Sequence, residues 1–173
     1  MLFARMWRAA MFDRRVFQEL SQDPIALMQA ITVLLLSLSA VIAGAVLDGA
    51  ISDLSTGTAV AQALIVMPGI WILPATSLLF LGSLAQKAKG REKGDRDLFI
   101  VIGFSAAPGL LLFFLFVPGL SGVVATIAPL WSVVILVTAS RAVLGVSTLR
   151  AIAFIAPGFL LFLLVGVVLA SAG

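Results

Sequence analysis

The chain of 173 residues contains no cysteine, no histidine and no tyrosine. The first absence excludes disulfides and thiol chemistry. The other two remove the commonest metal ligand, the commonest general base and several nucleophile arrangements. Charge is also scarce: Asp, Glu, Lys and Arg make up 11% of the residues, where a soluble domain carries roughly 25%. With 62% hydrophobic residues and a mean hydropathy of +1.21, the composition is that of an integral membrane protein. None of the eight carboxylates falls inside an apolar run in this reading. Pumps, ion-coupled transporters and intramembrane enzymes usually set an ionisable group at membrane depth. The chain is therefore read as non-enzymatic, with no catalytic residue, metal ligand or cofactor. The net charge of +3 does not point to nucleic acid either, because no basic stripe interleaved with aromatics accompanies it.

The basic residues are gathered rather than spread. Lys87, Lys89, Arg91, Lys93 and Arg96 crowd into Lys87–Asp97, the one strongly polar segment between two apolar halves. Such a segment cannot stay in hydrocarbon, so it marks a point where the chain leaves the membrane. The apolar runs around it predict an all-α polytopic bundle in a single domain, with spans at about residues 25–47, 59–85, 98–117, 123–140 and 149–170; each has the ~20 residues needed to cross. Threaded this way, all eleven Lys and Arg fall on one side. The positive-inside rule then places the amino terminus in the cytoplasm and the carboxyl terminus on the far side. Ala40 with Gly44, and Gly166 with Ala170, have the small-xxx-small spacing that lets helices approach closely.

Residues 1–22 are mixed. At helical spacing Leu2, Phe3, Met6, Ala9, Ala10, Val16, Phe17 and Leu20 fall towards one side, and Arg5, Arg8, Arg15 and Glu19 towards the other, with Asp13 interrupting the apolar side and Phe12 the polar one. The pattern predicts one amphipathic helix lying in the interface, Trp7 at headgroup depth and the arginines facing anionic lipid. Asp23 and Pro24 then start the first span, as cap and first-turn proline. Arg5, Arg8, Arg15, Lys87, Lys89, Arg91 and Lys93 are the candidate contacts to anionic lipid or an acidic partner.

Prolines recur inside the spans at Pro68, Pro74, Pro108, Pro129 and Pro157. Each removes a backbone donor and collides with the carbonyl four residues earlier, so each predicts a kink. Ser105, Thr126 and Thr76 stand near three of them, where a hydroxyl could serve a freed carbonyl; Pro157 has none so close.

The run Gly-Phe-Ser-Ala-Ala-Pro-Gly-Leu-Leu-Leu at 103–112, Val-Pro-Gly-Leu-Ser-Gly at 117–122, Leu-Trp at 130–131 and Gly-Val-Ser-Thr-Leu-Arg-Ala-Ile-Ala at 145–153 resembles the Yip (Ypt-interacting protein) family. So does Phe-Gln-Glu-Leu-Ser-Gln-Asp-Pro at 17–24. The resemblance implies five helical spans and a cytoplasmic amino terminus. Eukaryotic members resemble trafficking factors that bind Rab-type GTPases through a long amino-terminal region. Only about 22 residues precede the first span here, so that role is not carried over, and the short Ala-rich form resembles bacterial members of the cytoplasmic membrane. Two functions remain open. One is a scaffold or accessory factor that organises the bilayer, a membrane-protein partner or a homo-oligomer. The other is a small transporter, channel or lipid-moving protein built on proline-kinked helices.

Overall fold

The computed structural model describes the backbone of residues 1–51, 56–88, 90 and 94–172, and their side chains except at 56, 58–70, 94, 166 and 168–172. The described residues are helical throughout their regular structure: α1 (Leu2–Ala10), α2 (Arg14–Gln22), α3 (Ala26–Ile51), α4 (Thr56–Lys87), α5 (Gly94–Ser105), a 3-10 segment (Ala107–Phe116), α6 (Ser121–Leu144) and α7 (Thr148–Ala172). Among the described residues, Ala26–Ile51, Asp95–Phe116, Ser121–Leu144 and Thr148–Val165 are long and apolar enough to cross a membrane. The helices overrun the expected spans. α3 continues through Asp48 to Ile51, and α6 takes in Arg141.

The amino-terminal segment is two helices where one was expected. α1 stops because the Asp13 amide donates to the Arg8 carbonyl (3.0 Å) and the Phe12 amide to the Ala9 carbonyl (3.1 Å), with Phe12 at φ 59°. This is the left-handed ending that usually takes glycine. Asp13 at once caps α2, its Oδ1 accepting from the Arg15 amide at 3.0 Å. Periodicity marks this place only as a fault in the amphipathic pattern, at Phe12 and Asp13, because Phe12 is neither Gly nor Asn. The break folds the segment into a hairpin whose Met6, Ala9, Val16, Phe17 and Leu20 are buried in one cluster with Ile100, Val101 and Phe104 of α5 and Ile135, Leu136 and Ala139 of α6. Where the alternative is water, each large side chain so buried contributes on the order of 2 kcal/mol.

Small residues set the central packing. Ala30, Ser37 and Gly44 of α3 stand seven apart and face Gly103, Gly109 and Leu112. A Cβ at Gly103 would lie 2.6 Å from the Ala30 Cβ and 2.7 Å from its carbonyl oxygen. At Gly44 it would overlap the Leu112 carbonyl. In lipid, where apolar transfer drives little association, such close approach supplies the dispersion contacts that hold helices together. The stripe uses Gly44 but not its predicted partner Ala40, which is only half-buried.

The third expected span is interrupted. α5 ends at Ser105 and the chain goes on as a ten-residue 3-10 run with Pro108 in its first turn. Ten residues then rise about 20 Å, against ~15 Å for an α-helix. Beyond the bend Phe113 meets Phe114 and Phe116 edge-on, at 5.4 and 5.6 Å between centroids.

Candidate functional site

Two features stand out from the packed bundle: the hairpin's charge cluster and an apolar cavity that opens at the side of the helices beside the exposed Leu35 and Ile72. The cluster comes from the hairpin closing on itself. Arg8 forks onto Glu19, at 2.7 Å to Oε2 and 2.9 Å to Oε1, and reaches Asp13 Oδ2 at 2.8 Å. Arg5 bridges Asp23 (2.6 Å) and the Gln29 amide oxygen (2.6 Å) at the start of α3. Hydrogen bonding from Arg8 holds the carboxyls of Asp13 and Glu19 below their ordinary range. The Ile25 amide and then Arg5 do the same for Asp23. The same pairing raises Arg8. Two of the candidate lipid contacts, Arg5 and Arg8, thus have their charge matched inside the hairpin, because three carboxylates come within reach once the segment folds. Arg15 is exposed, and so is Lys87 at the end of α4. Lys89, Arg91 and Lys93 lie outside the described residues.

Two anchors escaped the sequence reading. The Arg96 guanidinium donates to the carbonyls of Ser21 (3.0 Å) and Asp23, fixing the α2–α3 turn to α5. Trp131 Nε1 donates to the Ala10 carbonyl at 2.9 Å, and its ring lies 6.4 Å from that of Phe12. By sequence Arg96 belongs to the basic run, yet it lies in the first turn of α5. The hint at Trp131 was an indole within a span, whose N–H needs a partner.

The cavity, of about 240 Å³, lies between α3, α4, the 3-10 segment and α6. Leu34, Leu38, Val41, Trp71, Leu112 and Pro129 are among its wall residues, and Ser37 and Ser132 bring hydroxyls to it. The Ser37 hydroxyl is already committed to the Ala106 carbonyl at 2.7 Å, the junction where α5 gives way to the 3-10 segment. No titratable group is among its lining residues, so it suits a hydrocarbon chain or an apolar side chain rather than an ion.

The prolines do not share one place. Pro129 lines the cavity; Pro74 is fully buried in a helix that runs unbroken from Thr56 to Lys87. Pro108 opens the 3-10 segment, and Pro157 is exposed on α7. The backbone of Pro68 is within α4, and its side chain lies outside the described residues. The nearby hydroxyls serve other carbonyls than the freed ones: Thr76 bonds Ile72 and Leu73, Ser105 bonds Ile102, and Thr126 bonds Gly122. Near Pro157 a hydroxyl comes from another helix, Ser77 donating at 2.8 Å to the carbonyl of Phe154, which again is not the one the proline frees, that of Ala153.

Residues 9–170 match the family model described as Yip1 domain. No curated protein and no solved structure matches the chain.

Proposed function

Because the chain belongs to the Yip1-domain family, we propose that it is a non-enzymatic, five-span membrane protein that organises neighbouring membrane proteins or copies of itself. α4, a helix of 32 residues, is the span that completes the five. Its length of about 48 Å exceeds a bilayer core of about 30 Å. With the eleven basic residues on one side, that side is the cytoplasm and the carboxyl terminus lies opposite, in a bacterial cytoplasmic membrane. Arg15 and Lys87, both exposed, would meet anionic headgroups there.

The observation that carries the organising role is the loneliness of α7. It packs mainly on α4, through Gly158 against Leu73 and Ser77 against Phe154, and turns Leu149, Leu160, Leu163, Leu164 and Val167 outward. A helix with so much free apolar surface suits a partner in the plane of the membrane. Three of the four buried serines among the described residues point away from solute transport, since Ser37, Ser105 and Ser140 each donate to a backbone carbonyl and leave little to line a polar path.

The native chain lacks cysteine, so single cysteines report cleanly. Cysteines at Leu160 or Leu164 should give disulfide-linked dimers or adducts under oxidation in native membranes, while one at Ser132, buried beside the cavity, should not. Equal, diffusion-like crosslinking at all three would remove the organising role. The cavity favours a second reading, a lipid-moving protein: reconstitution should then speed lipid exchange between leaflets, and Ser132→Phe, which fills the cavity, should stop it.

A further inference from the structure

A second depression, a groove of about 340 Å³, runs along the outer face of α4 from Thr76 to Lys87 and is closed on one side by α5. Phe80, Leu84 and Phe99, all exposed, form its walls. Its polarity is segregated. The hydroxyls of Thr76 and Ser83 are turned back onto carbonyls of α4, which leaves Lys87 and Asp95 as the charged groups, and both sit at one end. Neither makes an ion pair with another described residue. From Thr76 to Lys87 the helix rises about 16 Å, close to the ~15 Å of a single leaflet's hydrocarbon.

We infer that this groove binds one phospholipid bearing a primary ammonium beside its phosphate, a phosphatidylethanolamine, with an acyl chain against Phe80, Leu84 and Phe99, the phosphate on Lys87 and the ammonium on Asp95. A simple anionic lipid such as phosphatidylglycerol would satisfy Lys87 but bring no cation to Asp95. A choline headgroup would offer Asp95 no N–H donor. An apolar trough one leaflet deep with opposite charges at its mouth matches a zwitterionic amphiphile in both shape and sign. The inference goes beyond the organising role and needs only that α4 crosses the bilayer, so the crosslinking of α7 can fail without touching it.

The test uses the full chain purified in detergent and incubated with an equimolar mixture of phosphatidylethanolamine, phosphatidylglycerol and phosphatidylcholine of identical chains, with retained lipid read by native mass spectrometry. One phosphatidylethanolamine per chain is expected, favoured about three- to fivefold over each of the others, the range an exposed ion pair supplies. Asp95→Asn should abolish the preference over phosphatidylglycerol, Lys87→Gln should weaken retention of all three lipids, since each carries a phosphate, and Ser83→Phe should block all three by filling the groove. Lys87 and Asp95 are exposed, so their variants remain decisive even if Ser83→Phe fails to fold. Equal retention of the three lipids, a preference for phosphatidylglycerol, or indifference to both Lys87→Gln and Asp95→Asn would overturn the assignment.

Discussion

The indole Nε1 of Trp131 donates to the carbonyl of Ala10 at 2.9 Å, so the last turn of α1 is fastened to the interior of α6, 121 residues away. The carbonyl is one of the four that a helix end leaves without an internal partner. Through it the amino-terminal hairpin becomes part of the bundle rather than a separate element resting on the membrane. Trp131→Phe keeps most of the ring and loses the donor, a change of about 1 kcal/mol. Amide exchange over Leu2–Ala10 should quicken about fivefold while exchange in α3 stays as it was. Acceleration spread evenly over the chain would mean the bond holds the whole bundle and not the hairpin.

The hairpin should also loosen in acid. Asp13, Glu19 and Asp23 have folded pKa values below their ordinary 3.8, 4.5 and 3.8. A depressed carboxylate contributes stability that is complete above the unfolded value and disappears as pH falls through the folded one. Protection of α1 and α2 should therefore be flat from pH 7 to about 5 and fall below about pH 4. Glu19→Gln should remove part of that dependence. A transition centred near pH 6 would contradict the assignment, because no histidine is present to supply it.

Glycines separate into two kinds. A Cβ at Gly103 would press on Ala30 and one at Gly158 on the Leu73 carbonyl, whereas Gly122 has nothing within 4 Å. Gly103→Ala and Gly158→Ala push against backbone that cannot move freely and should each cost about 1–3 kcal/mol, as overpacking does. Gly122→Ala, in the first turn of α6, should be neutral or stabilising by up to about 1 kcal/mol. Melting temperatures in one detergent would rank the three. Loss at Gly122 equal to that at Gly103 would refute the close-approach account.

The membrane character, the all-helical class and the family were legible because they rest on composition, long apolar runs and an ordered set of motifs. What was not legible depended on contacts distant in sequence. The break at Phe12 needed the knowledge that a non-glycine residue would accept φ 59°, with its ring beside Trp131. The pairing of Arg5 with Asp23 and Arg8 with Glu19 followed from that break, since a continuous helix would have held these groups apart. The stripe Ala30, Ser37, Gly44 was hidden because small residues are common in α3, and only the partner Gly103–Leu112 selects among them. The 3-10 segment was half visible: Pro108 announces a departure from α-helix, but nothing in Leu110–Phe116 announces which coil follows.

The prolines offer the last test, because two of them sit in opposite surroundings on helices that touch. Pro74 is fully buried on α4, and its nitrogen lies against Gly158 of α7; Pro157, one residue away on α7, is exposed. If prolines here shape helices for packing, Pro74→Ala removes buried ring atoms from the α4–α7 contact and should cost about 1–2 kcal/mol in detergent. Pro157→Ala regains a backbone donor at an outward position and should be neutral or stabilising. Adding a lipid-exchange assay in vesicles separates packing from motion. A static bundle predicts that exchange stays at the protein-free rate for both variants and for the unaltered chain. Rapid exchange that Pro74→Ala abolishes at unchanged melting temperature would instead make Pro74 a moving part and the lipid-moving reading the correct one.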